Sequence, residues 1–151
     1  PILTEMNSKQ RLALRQELEA LVIDFWHEVD FNWGDQAHTY YVDDAVFTTS
    51  IKTRQGRQAI YEFYHSRRER GARTSLHVVQ NFRVDAIHAD RVDTSYVMSL
   101  YAADGEGVLE SKPAIMIAHC TESVQQQGDG RWLYTSRVLK PLFRDNTPTT
   151  G

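Results

Sequence analysis

The sequence is short of most features that announce a function. It holds one cysteine, Cys120, in 151 residues, which excludes an internal disulfide framework and suits a reducing compartment. It has no HExxH, no paired CxxC and no glycine-rich phosphate loop, so neither a zinc site nor a nucleotide cradle is written in it. Asp24 and His27 have the spacing of half a carboxylate-bridged metal site, yet no second copy of that pattern exists. No metal and no other cofactor is therefore expected. No apolar run approaches the roughly 20 residues of a membrane span. The opening segment PILTEMNSK lacks the basic and apolar regions of a signal peptide, so a cytoplasmic protein is expected. A formal net charge of −3 argues against nucleic acid or an acidic membrane surface as a partner.

What is present begins with one long amphipathic stretch. Leu14, Leu18, Leu21, Val22, Phe25, Trp26, Val29 and Trp33 recur in steps of three and four, which predicts a helix with one apolar face. Asn7 or Ser8 caps it, with Gln10 in capping-box spacing after Asn7, and it is expected to run to about Asn32, before Gly34. Asp30 breaks the stripe. It lies four residues after Trp26, at the edge of the apolar face, where an unpaired carboxylate is expensive. A short second helix is expected over Asp35–Tyr41, then a turn at Asp43–Asp44, a strand over Ala45–Ser50 and a third helix from Arg57 to about Arg70. Arg67, Arg68, Arg70 and Arg73 cluster at its end, either as an anion or partner site or as a solvated end that complements the helix dipole.

After Gly71 the texture turns extended. Four β-prone runs, Thr74–Ala89, Arg91–Ala103, Ser111–Gln127 and Arg131–Phe143, are separated by turn signals. They are long for strands, so bulges and strong curvature are expected. Helices followed by an antiparallel meander make an α+β order. The expected architecture is a curved antiparallel sheet wrapped around the long N-terminal helix plus two shorter helices, a cone with an internal pocket. It takes up residues 1–151 as one domain, with 1–7 an arm and 144–151 a loose tail. Both faces of the strands are apolar, so one should line the cone and the other meet a second subunit, giving a dimer or trimer.

His77 is the histidine that matters most. Period-two alternation puts Val79 and Asn81 on its face, and that face can look toward the helix carrying Asp30. Asp30 accepting from one ring nitrogen would fix the tautomer and leave the other nitrogen as a base. The alternatives are a satisfied core pair, or two residues that never meet. His119 sits mid-strand as a second pocket candidate, and Cys120 beside it points to the opposite face, so the two form no nucleophile–base pair. Phe25, Trp26, Tyr41, Phe47 and Tyr64 are core residues that can also wall a pocket for a flat, cyclic ligand.

The segments HEVDFNWGDQAHTYYVDDAVF, SLHVVQNFRV and DGRWLYTSRVLKPLF, in that order, resemble the SnoaL-like family over about Leu12–Phe143. That family belongs to the nuclear transport factor-like cone superfamily, which includes scytalone dehydratase, ketosteroid isomerase and lindane dehydrochlorinase. In the branch with the dehydratase and the dehydrochlorinase, a first-helix aspartate and a strand histidine together remove a proton, and Asp30 and His77 match those positions. Arg137 resembles a last-strand arginine that some relatives use to stabilise an oxyanion or leaving group. The match then departs: Phe25 stands where some relatives carry a Tyr or Lys acid, and VDTSYVMSLYAAD lacks the second histidine or aspartate of several dehydratases. The resemblance implies a cofactor-free lyase or isomerase acting on a cyclic, largely apolar molecule. It also resembles in architecture the small subunit of ring-hydroxylating dioxygenases, which implies the alternative of a non-catalytic binding or assembly module.

Overall fold

A computed structural model of the chain describes residues 5–149. Helix α1 covers Ser8–Phe31. Its start is the expected capping box: Gln10 N donates to Asn7 Oδ1 and Asn7 N donates to Gln10 Oε1, each at 2.9 Å. Its stripe is buried through Leu14, Leu18, Val22, Phe25, Trp26 and Val29. The helix ends at the Asn32 cap, and Trp33 and Gly34 then take positive φ values of 60° and 69°. That reversal swings Trp33 off the apolar face, so it is largely exposed rather than part of the stripe. It also seats Gly34 against the Tyr64 ring, where a Cβ would meet Tyr64 Cδ1 at 2.9 Å, so only glycine fits.

The expected second helix is a single 3-10 turn, Ala37–Tyr40, and Tyr41 already opens strand β1, Tyr41–Thr48. Asp43 and Asp44 are therefore inside a strand rather than in a turn. They sit in a bulge, where the register against the last strand slips between Tyr41 and Val46, and Asp43 pairs with Arg57 at 2.6 Å. A short strand β2, Thr53–Gln55, closes a hairpin with β1 and was too brief to read from the sequence. Helix α2 spans Arg57–Ser66, and the remainder of the expected third helix is a separate 3-10 turn, Arg67–Arg70.

Four long strands complete the sheet: β3 Arg73–Ile87, β4 Val92–Asp104, β5 Met116–Gln126 and β6 Trp132–Arg144. The spatial order is β2-β1-β6-β5-β4-β3. The long strands form the expected antiparallel meander, and β1 joins β6 in parallel, so the early strand extends the sheet beyond that meander. Bulges at Gln80/Arg83, Val84/Ala86, Ile117/Ala118 and Ser123/Val124 let strands this long bend. The result is the expected α+β cone, a curved open sheet closed over by α1 and α2. Residues 145–149, read from the sequence as a tail, lie against the domain: Asp145 N donates to Ile115 O at 3.0 Å and Arg73 Nη2 donates to Pro148 O at 2.9 Å. No described helix is long and apolar enough to cross a membrane.

The core contains a charge. Arg137 of β6 is fully buried, and its Nε donates to Glu122 of β5, itself 2 % exposed. Arg137 Nη1 donates to Tyr41 Oη at 2.8 Å, and the guanidinium carbon lies 3.9 Å from the Phe25 ring centroid and 4.3 Å from that of Tyr134. Tyr96 Oη donates to Glu122 at 2.6 Å and accepts from Trp26 Nε1 at 2.9 Å. This chain of donors ties the underside of α1 to three strands, β1, β4 and β6, through β5. A buried pair costs more when one member is removed than when both are, because the survivor is left charged in an apolar site. Arg137→Met and Glu122→Leu should each lose about 3–5 kcal/mol of unfolding free energy. The double variant should lose less than the sum of the two, measured by urea denaturation followed by tryptophan fluorescence.

Candidate active site

The last full turn of α1 and the start of β3 meet at Asp30. Its carboxylate accepts from His77 Nδ1 at 2.6 Å and Ser75 Oγ at 3.0 Å through Oδ1, and from the His77 backbone N at 2.7 Å through Oδ2. Asp30 sits near a helix C-terminus, where the backbone carbonyls already present negative charge. Three donors from one strand hold it there, and its side chain is 4 % exposed. Because Asp30 accepts from Nδ1–H, the His77 lone pair lies on Nε2, and among the described residues Nε2 has no hydrogen-bond partner. Trp26 lies flat on the imidazole, with ring centroids 4.2 Å apart and planes 11° from parallel. The stack leaves the ring one free edge.

That edge faces a cavity. It is a narrow slot of about 60 Å³. Trp26, Phe47 and Tyr64 form aromatic wall, and Met98, Leu100, Met116 and Leu139 supply aliphatic wall from the sheet. Among the described residues the charged side chains on the wall are Arg67 and Arg144, and no Asp or Glu lines it. Burial pushes the His77 pKa below its ordinary 6.5, and the Asp30 hydrogen bond pulls the other way without overcoming it. His77 is therefore neutral at neutral pH, with its base nitrogen toward the slot.

Five of the residues read from the sequence as site candidates lie elsewhere. Arg137, expected in the pocket, is enclosed by Glu122, Tyr41, Phe25 and Tyr134 and does not line the slot. Phe25 and Tyr41 belong to that same buried cluster, at 0 % exposure each. Asn81 was expected beside His77, but the bulge after Gln80 puts it at φ +55° and turns it outward, with Phe82 taking the buried position. His119 is exposed on β5, and Cys120 does point the opposite way, into the core, where burial pushes its thiol well above the ordinary range and keeps it inert. Among the described residues, no group of three or more His, Cys, Asp or Glu side chains is placed to hold a metal. Ser75 escaped the sequence reading, legible only through its period-two relation to His77. Arg67 was named there only as one of four clustered arginines, an anion or partner site or a solvated helix end, and was not placed in the pocket.

Comparison with known proteins bears on the fold. The family model of the SnoaL-like domain matches residues 10–138. A provisionally assigned scytalone dehydratase from Novosphingobium aromaticivorans superposes with a TM-score of 0.79 at 15 % identity, covering 95 % of this chain and 93 % of that one. The β subunit of a provisionally assigned aromatic-ring-hydroxylating dioxygenase from the same organism gives 0.78 at 10 % identity, covering 93 % and 95 %. A protein of unknown function with a cystatin-like fold from Nostoc punctiforme gives 0.69 at 14 % identity, covering 91 % and 94 %. No curated protein sequence matches the chain. At these identities the structural likenesses speak for the fold alone, while the domain match, covering most of the chain, settles its kinship: the protein belongs to the SnoaL-like family.

Proposed function

We propose that this protein is a small cofactor-free lyase or isomerase, dehydratase-like in its chemistry, that removes a proton from a cyclic, largely apolar substrate. The observation that carries the reading is the 2.6 Å Asp30–His77 contact with Nε2 free on the wall of an apolar slot. His77 takes a proton from carbon next to an electron-withdrawing group. Asp30 holds the productive tautomer and stabilises the imidazolium that forms, and Trp26 fixes the plane of the ring. The slot's aromatic and aliphatic walls favour a flat ligand and exclude bulk water from the base. A second reading, a non-catalytic ligand-binding or assembly module, is supported by the small free volume and by the likeness to a dioxygenase β subunit.

Leu76 and Val78 of β3 and Tyr101, the register partner of Leu76 on β4, are exposed at 43 %, 37 % and 42 %. This outer apolar face is where a second copy would pack, and a homo-oligomer goes with the proposed function. Light scattering at micromolar concentration should give a dimer or trimer mass, and Leu76→Glu with Val78→Glu should shift it toward the monomer. A monomeric wild-type protein would rule the association out.

Exchange of hydrogen for deuterium tests the chemistry without knowledge of the natural substrate. In D2O the wild-type protein should speed exchange at the carbon next to the carbonyl of a bicyclic ketone such as 1-tetralone, followed by NMR. His77→Ala and Asp30→Asn should each slow it by about 10²-fold or more, the usual worth of a positioned general base. Exchange that survives both changes overturns the mechanism. Ketone binding with no exchange by the wild type hands the protein to the second reading.

The pH dependence has a definite sign. A base acts when deprotonated, so the exchange rate should rise with slope one through a pKa below 6.5 and stay flat at neutral pH. Stability follows the same group. A folded-state pKa below the unfolded value means that the His77 contribution is complete above about 6.5 and is lost as pH falls through the folded value. Urea titrations of wild type and His77→Asn between neutral and mildly acid pH should show that loss in the wild type alone.

A further inference from the structure

Arg67 is the wall residue that the Asp30–His77 pair does not explain. It opens the 3-10 turn that follows α2 and lines the same slot as His77. It also lines a second cleft on the other side of Val29, together with Asp30, Arg70, Arg73 and Ser75. Three nearby arginines have carboxylate partners, Arg57 with Asp43, Arg68 with Asp35 and Arg73 with Asp104, while Arg70 is exposed. Arg67 has no such partner among the described residues. Among the described residues its guanidinium makes no hydrogen bond or ion pair, although its Nη1 is sealed from solvent. Its guanidinium carbon lies 5.6 Å from the Tyr64 ring centroid, at the outer edge of cation–π range, a contact that gives Nη1 no hydrogen-bond acceptor.

Arg67 is half-buried, but its sealed Nη1 has lost its water without gaining a partner; that is costly, and the cost is recovered when an anion arrives. Among the described residues the slot offers no such anion, since its wall carries Arg67 and Arg144 and no Asp or Glu. Asp30 is near enough to be felt by Arg67 but is already taken by His77 and Ser75.

We propose that Arg67 is the anion-holding residue of the site, receiving the oxygen that becomes negative as His77 removes a proton, so that substrates carry a carbonyl beside the acidic carbon. The inference rests on the acid–base reading above and adds to it the substrate class. In the step, the C–H bond breaks, its proton passes to His77 Nε2, and its electron pair moves through the carbon–carbon bond onto the carbonyl oxygen. The enolate oxygen then accepts from Arg67 while the new imidazolium is paired with Asp30. Reprotonation at another carbon completes an isomerisation. Expulsion of a group on the next carbon, with the His77 proton given to it, completes an elimination. The atoms and charge balance without any further reagent.

4-Nitrophenol is a single-ring probe whose phenolate resembles an enolate and absorbs differently from the phenol. Bound to the wild-type protein, it should ionise at least about one pH unit lower than in water, a tenfold preference for the anion. Arg67→Gln should abolish the shift and weaken nitrophenolate binding about tenfold, and Arg67→Lys should restore part of both. His77→Ala should keep the shift, which separates this proposal from the identity of the base. An unshifted probe in the wild type, no nitrophenolate binding at millimolar concentration, or an equal shift in Arg67→Gln overturns the proposal and leaves the exchange experiment to judge His77 by itself. The wild-type titration decides the matter even where a variant fails to fold.

Discussion

The structure depends on one carboxylate finding its donors. Asp30 is set by helical spacing four residues beyond Trp26, at the margin of a face that the sheet must cover. Covering it with no partner would cost more than a typical side-chain contact returns. Strand β3 answers with three donors, His77 N, His77 Nδ1 and Ser75 Oγ, all aimed at the two oxygens of Asp30. Because one of them is a backbone amide, the carboxylate fixes the strand itself and not only the imidazole. The helix end, the strand and the base are thereby set in one geometry, and the slot beside them takes its shape from that alignment.

A second polar unit, wholly buried, serves the first. Arg137 and Glu122 sit in the core with Tyr41, Tyr96 and Phe25 around them. Their link to the site runs through Tyr96 Oη, which accepts from the Trp26 indole while donating to Glu122. Trp26 is the plate on which His77 lies. An arginine on the last strand thus acts on the imidazole by holding its stacking partner in place. That role needs no contact with a ligand, and a buried pair held in many donors gives a rigid platform rather than a large gain in stability.

How much of this was legible in the sequence varies from element to element for physical reasons. The α1 stripe and its exception Asp30 were readable because helical periodicity is local, and His77 because alternation puts one residue in two on the inner face. Asn81 was not, since a bulge at Gln80/Arg83 adds a residue and flips the faces beyond it, an event that depends on pairing with β4 and leaves no mark on β3 alone. Arg137 does point inward, as alternation allows, but the inner face includes both the slot and the sealed region under Phe25, and only the packing of α1 separates them. The parallel pairing of β1 with β6 joins segments about ninety residues apart and has no local signature at all. Arg67 failed for a different reason: four arginines at a helix end look alike in sequence, and the change from α-helix to 3-10 turn at Arg67 rotates this one toward the slot.

The charges around His77 also explain why a base can exist there at all. Burial and the guanidinium groups of Arg67 and Arg137 each lower its pKa, while Asp30 raises it. Burial is the largest of these effects and Asp30 does not overcome it, so the imidazole is neutral at neutral pH and keeps its basic nitrogen, while Asp30 restores part of its basicity. The arrangement puts the anion on the Nδ1 side, hidden behind the ring, and a cation on the wall that a ligand would meet. In the proposed reaction, proton and electron pair would be drawn in opposite directions out of the same C–H bond, the proton toward the Asp30 side and the charge toward Arg67. A neutral apolar ligand would gain nothing from that polarity beyond its contact area, whereas a carbonyl compound would gain more as its oxygen becomes negative. On that proposal the slot would be better matched to a developing enolate than to the ketone that enters it, which is the condition for catalysis rather than mere binding.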